Sequence, residues 1–293
     1  MVSERFIRYL KDEKRYSQHT IKAYKTDLEQ FQSFITSHNL TSPKEISHHI
    51  IRSWIVELID SNVSNRSVNR KLSTLKTYFK YLLKKSVIDN NPMLKVQSPK
   101  TAKRLPVFVE ETAIEDLFDK VDFGNDVWGL RDRLIIELFY ATGIRLSELC
   151  NLKIGDFNPT NGNMKVLGKR NKERLVPLSN TLSLKISEYL QARNKIGISN
   201  PFLFTTSKNE KIYDKLVYRV VNSYLSKVTS LTKKSPHVLR HTFATHMLNH
   251  GADLNAIKEI LGHANLSATQ VYTHNTIGKL KSIYKTAHPS EKA

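Results

Sequence analysis

Apolar residues recur at three- and four-residue intervals over most of this chain, a pattern that predicts a mainly α-helical protein. Ile21, Tyr24, Leu28, Phe31 and Ile35 form one such stripe, with Ser17 placed as its N-cap. Val68, Leu72, Leu75, Phe79 and Leu82 form a second, which starts near Ser64 or Asn65 and stops before Asp89-Asn90-Asn91-Pro92. The periodicity fails at residues 98–106, where Pro99 and Pro106 bracket Lys100, Lys103 and Arg104. That stretch reads as an extended basic linker. Helical spacing returns at 110–121 and 129–142, with Gly143 as a C-cap and a further helix starting around Leu146-Ser147-Glu148-Leu149. After the turn cluster Asn158-Pro159-Thr160-Asn161-Gly162, residues 164–168 and 174–178 alternate like paired strands around Gly168-Lys169-Arg170-Asn171-Lys172. From about 180 onward the pattern is helical again, apart from a short strand expected at Phe202–Thr205. The expected organisation is a helical N-terminal domain over 1–98, a linker over 99–106, and an α-rich domain over 107–293 with a small antiparallel β-hairpin.

Composition narrows the class. A chain of 293 residues suits two domains of ordinary size. With 10 glycines and 9 prolines it is poor in turn formers, against an all-β fold. The lone Cys150 excludes a disulfide-built secreted domain. No apolar run approaches the roughly 18 residues of a membrane span, and MVSERFIRYLKDEKR has no signal-peptide hydrophobic region. A cytoplasmic setting without membrane insertion is expected.

Charge adds a partner. Lys and Arg number 46 against 27 Asp and Glu, a net charge of +19. Residues 1–103 hold 19 basic and 9 acidic side chains and residues 104–293 hold 27 and 18, so both halves are basic. Arg66, Arg70, Lys71, Lys76, Lys80, Lys84 and Lys85 interleave with the second apolar stripe, and no acid interrupts residues 61–88. Such a helix presents either a solvated charged face or a surface for phosphates. A chain basic throughout fits a long polyanion, meaning nucleic acid, or else a highly soluble protein of a lysine-rich proteome.

Three segments concentrate chemistry: Thr142–Leu149; Pro236-His237-Val238-Leu239-Arg240-His241-Thr242-Phe243-Ala244-Thr245-His246; and Leu261-Gly262-His263, with Tyr272 nine residues on. Arg145 follows a glycine break at a helix start, where a guanidinium can face an anion beside free N–H groups. Arg240 shares a helical face with His237, three residues earlier. Two arginines, two histidines and a tyrosine are what metal-free phosphodiester cleavage requires: charge neutralisation, proton transfer and a nucleophile. Taken singly each is ordinary, since arginines after helix breaks are commonly structural and Tyr272 is one of 12 tyrosines. His237/His241 and His246/His250 have the i, i+4 spacing of a zinc helix. No acid lies within 237–250, however, and Arg240 would repel a dication.

The segments TGIRLSELCNL, VLGKRNKERLVPL, PHVLRHTFATHML and LGHANLSATQVYTH resemble the boxes of the tyrosine site-specific recombinases of the phage-integrase family, most closely the Xer type. YSQHTIKAYKTDLEQF and SVNRKLSTLKTYFKYL resemble that family's N-terminal core-DNA-binding helices, so the resemblance spans nearly the whole chain. It implies Tyr272 as nucleophile, Arg145 and Arg240 on the scissile phosphate, His237 and His263 as proton handlers or hydrogen-bond donors, and Lys169 as general acid. Glu148 would brace Arg145. Arg170 departs from the glycine common in related sequences, which leaves Lys172 as an alternative acid. The implied reaction is a transesterification through a 3′-phosphotyrosyl link, needing no cofactor, ATP or metal. Its implied partners are double-stranded DNA at a short palindromic site, a homo- or hetero-tetramer on two duplexes, and a septal DNA translocase. A C-terminal helix at about 276–288, with Ile277, Leu280, Ile283 and Tyr284 on one face, would dock on a neighbouring protomer, with packing on its own domain as the alternative. Resolution of chromosome dimers before division is the implied role, favoured over a mobile-element integrase by the compact length. A non-catalytic DNA-binding protein predicts a missing catalytic position, and none is missing. A metal-dependent nuclease predicts carboxylates beside the histidines.

Overall fold

The short helix α1 (Glu4–Arg8) passes directly into a π-helical segment, Tyr9–Glu13, where the Lys14 N–H returns five residues to the Tyr9 carbonyl at 3.0 Å. The computed structural model describes residues 4–102, 107–168, 173–262 and 286–288. Lys169, Arg170, Lys172, His263, Tyr272 and most of the expected C-terminal helix therefore lie outside the described residues. The chain divides into two compact units, Met1–Arg104 and Leu105–Ala293.

In the first unit, helix α2 (Gln18–Ser37) is opened by Ser17, whose hydroxyl accepts from the Thr20 N–H at 3.3 Å. Helices α3 (His48–Asp60) and α4 (Asn65–Lys84) follow, the latter capped by Ser64. Phe31, Trp54 and Phe79 meet at the centre, with Phe31 and Trp54 ring centroids 4.8 Å apart and Phe31 and Phe79 6.4 Å apart. Both phenylalanines are fully buried, so truncating either to alanine costs about 3–5 kcal/mol.

A carboxylate is also built into this core. Asp27, fully buried, accepts from Arg70 Nη1 at 2.5 Å and Nη2 at 2.7 Å, from Lys71 Nζ at 3.2 Å and from Thr74 Oγ1 at 2.9 Å. Lys71 also donates to Gln30 Oε1. Of the seven cations expected on the charged face of α4, Lys71 departs from it and is turned inward, because a buried carboxylate needs a counter-charge. Asn65 and Asn69 donate to the carbonyls of Lys100 and Pro99, both at 2.9 Å, and so hold the start of the expected linker along α4.

The second unit is organised about α6 (Val127–Thr142), which follows α5 (Glu111–Asp119) and buries Leu134, Ile135, Ile136, Leu138 and Phe139. A helix apolar on so many sides needs cover on several faces. After α7 (Leu146–Asn151), strands β1 (Phe157–Asn158), β2 (Asn163–Leu167) and β3 (Glu173–Pro177) form an antiparallel sheet in the order β1-β2-β3. Met164 and Val166 of β2 and Arg174 and Val176 of β3 point to the buried face, with Val166 opposite Arg174. Helices α8 (Asn180–Lys195), α9 (Asp214–Leu225), α10 (Pro236–Asn249) and α11 (Leu254–Leu261) complete the described elements, with α8 and α10 packed on α6.

The strand expected at Phe202–Thr205 is reduced to two isolated bridges, Lys153 with Phe202 and Thr205 with Lys211. The segment is also held by the fully buried Arg193, whose guanidinium donates to the carbonyls of Asn200, Phe202 and Leu203 at 2.7–2.9 Å.

Candidate active site

The site is built where α6 ends. Gly143 closes that helix in the left-handed region (φ 58°), and a Cβ there would lie 2.5 Å from Leu261 and 2.6 Å from Phe243. Glycine is needed twice over, and the reversal brings Arg145 to the N-cap of α7. The Arg145 N–H donates to Glu148 Oε2 at 2.9 Å, its Nη1 donates to Glu148 Oε1 at 2.6 Å, and its Nη2 donates to the Gly262 carbonyl at 2.9 Å. Arg240 comes from α10. It donates through Nη1 to the Gly143 carbonyl and through Nη2 to the Leu261 carbonyl at 2.8 Å.

A third arginine completes the cluster. Arg174 of β3 donates to Glu148 through Nη1 at 2.9 Å and Nη2 at 2.7 Å, and through Nε to the Ile260 carbonyl at 2.9 Å. The carbonyls of Ile260, Leu261 and Gly262, at the negative end of α11, thus each accept from a different arginine. The reading of the sequence missed Arg174, although its parity with Val176 signals an inward residue in β3.

The electrostatics follow. Burial by itself would raise the Glu148 carboxyl, but hydrogen bonds and charge from Arg174, with those from Arg145, hold it down at about 2. Arg240 is lowered to about 10, first by burial and then by the charge of Arg145, and stays cationic at neutral pH. Three guanidiniums around one carboxylate leave a surplus of positive charge, suited to an anion such as a phosphodiester.

His237, also on α10, is exposed, and its pKa is lowered by partial desolvation and by the charges of His241, Lys233 and Arg240. Two further histidines are engaged elsewhere: His246 Nδ1 of α10 lies 3.1 Å from the Tyr140 hydroxyl, and Nε2 of His250, just after α10, lies 2.9 Å from Glu111 Oε1. Although no acid lies within 237–250, a carboxylate does stand beside His250, because α5 delivers Glu111 from 139 residues away in sequence. No group of three or more His, Cys, Asp or Glu side chains that could hold a metal ion occurs among the described residues.

Ala287 and His288 are buried within their own unit, with His288 Nε2 donating to the Tyr140 carbonyl at 3.1 Å. On α4 of the first unit, Arg66, Arg70, Lys76, Lys80 and Lys84 are exposed, as is Lys85 at its C-cap, Arg70 being tied to Asp27 and Lys84 to Glu13. No helix among the described residues is long and apolar enough to cross a membrane.

Both units of the chain are similar to known proteins. Residues 108–278 match the Phage integrase family, and residues 3–86 match the phage integrase N-terminal SAM-like domain. The chain is 39% identical to tyrosine recombinase XerC of Staphylococcus saprophyticus, over 99% of this chain and 98% of the relative. It is 38% identical to tyrosine recombinase XerC of Halalkalibacterium halodurans, over 97% and 96%. Among solved structures, XerH site-specific recombinase bound to its difH substrate before cleavage aligns with a TM-score of 0.68 at 26% identity, covering 90% of this chain and 79% of that one. A lambda integrase dimer bound to a COC′ core site shares the fold, with a TM-score of 0.68 at 17% identity over 95% and 93% of the two chains. With both domain types matched and its identity to the XerC relatives running nearly end to end, the chain belongs to the phage integrase family.

Proposed function

We propose that this protein is a site-specific DNA recombinase that cuts and rejoins duplex DNA through a 3′-phosphotyrosyl intermediate on Tyr272. The observation that carries the reading is the convergence of Arg145 and Arg240 at the end of α11, one residue before the segment that holds His263 and Tyr272. Their guanidiniums would neutralise the non-bridging oxygens of the scissile phosphate, where charge builds in the transition state. Tyr272 Oη attacks phosphorus, the bond to the 5′-oxygen breaks, and Lys169 supplies the proton that makes this oxygen a hydroxyl. A 5′-hydroxyl of a second duplex then attacks the phosphotyrosyl link, reseals the strand and releases the tyrosine. His237 and His263 handle protons or donate hydrogen bonds, and Glu148 braces Arg145. The bond energy stays in the covalent link, so the chemistry calls for no cofactor, ATP or metal.

The XerC names of the relatives support a role in resolving chromosome dimers before cell division, in the cytoplasm. Exchange of four strands requires four protomers on two duplexes, all of this chain or shared with a related recombinase, and a septal DNA translocase is a fitting activator. The test is cleavage of nicked duplex DNA carrying a site selected by binding to the protein. Wild type should form a covalent adduct in the presence of a chelator. Tyr272→Phe should bind the same DNA and form none. Adduct formation that depends on added magnesium or zinc would overturn the reading.

A further inference from the structure

We propose that Arg174 is a positioning residue for the strand-cleavage reaction, setting Arg145 through their shared carboxylate; this rests on the recombinase reading above. Three segments meet at this one guanidinium. Its Nη1 and Nη2 hold both oxygens of Glu148, the carboxylate that also receives the Arg145 N–H and Nη1. Its Nε holds the Ile260 carbonyl, in the last turn of α11. Its backbone belongs to β3, as the second residue of the strand, where it pairs with Val166 of β2. Gly262 packs flat against it, for a Cβ there would lie 3.2 Å from Arg174 Cδ and Gly262 already has a positive φ of 63°.

The consequence is geometric. A carboxylate held at two points by Arg174 cannot swing, so the Arg145 guanidinium it receives has one orientation, with Nη2 on the Gly262 carbonyl and other N–H groups left for a phosphate. Without Arg174, Glu148 would belong to Arg145 alone and would draw that guanidinium inward, away from a phosphate. Arg174 is buried beneath this pair, so its action on the phosphate is through Arg145 rather than by contact.

Arg174→Lys keeps the charge and loses the fork. Single-turnover cleavage of nicked site DNA should fall about 100-fold, as expected for a misplaced catalytic group, with site binding unchanged. Two readouts separate positioning from a structural role. First, Arg145→Ala combined with Arg174→Lys should cleave no more slowly than Arg145→Ala alone. Second, a neutral methylphosphonate at the scissile position carries no charge for Arg145 to neutralise, so the Arg174→Lys defect should largely vanish on it. Glu148→Gln, which weakens the same bracket from its other side, should show the same dependence on substrate charge and serves if Arg174→Lys does not fold. Additive losses with Arg145→Ala, or equal losses on charged and neutral DNA, would overturn the assignment. If wild type forms no adduct where Tyr272→Phe also forms none, the recombinase reading fails and takes the inference with it.

Discussion

Arg240 on α10 and Leu261 at the end of α11 are joined by a hydrogen bond of 2.8 Å from Nη2 to the backbone carbonyl, while the same guanidinium reaches back to Gly143. The residue proposed to hold the phosphate therefore also fixes the point from which the chain leads to His263 and Tyr272. Lysine has no fork to span those two carbonyls. Arg240→Lys should lower single-turnover cleavage about 100-fold or more while site binding, measured by gel shift, changes less than about threefold.

Glu148 gives a pH dependence with a definite sign. Its folded pKa, near 2, lies below the ordinary carboxylate value of 4.5. The stabilisation is therefore complete above about pH 4.5 and is lost as pH falls toward 2. Glu148→Gln should cost about 3 kcal/mol at pH 7, because two buried or half-buried arginines lose their counter-charge. In denaturant titrations the gap between wild type and variant should close between pH 4.5 and 2. A gap that is constant over that range counts against the shared-carboxylate geometry.

Asp27 is the corresponding device in the N-terminal unit, and single and double substitutions there should not add. Asp27→Leu leaves the buried Lys71 ammonium without its carboxylate and should destabilise by about 3–5 kcal/mol. Adding Lys71→Met removes the orphaned charge and should recover a large part of the loss. Thermal unfolding of both proteins and of Lys71→Met measures the coupling.

Parts of this molecule are legible in sequence because they are local. Ser17 and Ser64 stand directly before apolar stripes, Gly143 follows one, and the alternation on either side of Gly168–Lys172 marks a hairpin. What escapes is pairing across distance. Lys71 reads as one more cation of a basic helix because its partner, Asp27, lies 44 residues away. Arg174 reads as a strand's charged residue until its parity with Val176 turns it inward onto Glu148. Glu111 has no sequence signal linking it to His250. Arg193 has no local sequence signal for its role either, since its guanidinium holds the carbonyls of Phe202 and Leu203 nine and ten residues on.

His288 ties the end of the chain to its own unit through a neutral ring. Burial lowers its pKa to about 4, against 6.5 when free, so the folded state takes up this proton less readily than the unfolded one. The stabilisation it brings is complete above about pH 6.5 and is lost as pH falls toward 4. His288→Gln retains a donor for the Tyr140 carbonyl without the titration. The wild-type advantage over this variant should be largest at pH 7 to 8 and shrink between pH 6.5 and 4, as read from melting temperatures.

The general-acid role proposed for Lys169 has its own chemical test. A thiolate leaves far more readily than an alkoxide, so a bridging 5′-sulfur removes the need for a proton donor. Lys169→Ala should cleave normal DNA slowly and the sulfur-substituted strand at near wild-type rate, whereas Arg145→Ala should not be rescued. Rescue of Lys172→Ala instead would move the acid along the hairpin tip.

The central claim is that one tyrosine carries the cut strand. The covalent adduct formed on nicked site DNA in the presence of a chelator can be digested and its cross-linked peptide sequenced by mass spectrometry. The account predicts a single modified residue, Tyr272, bearing the 3′-phosphate of the cleaved strand, with a free 5′-hydroxyl on the departing fragment. Attachment at another residue, or a 5′-phosphate on the protein, would contradict it.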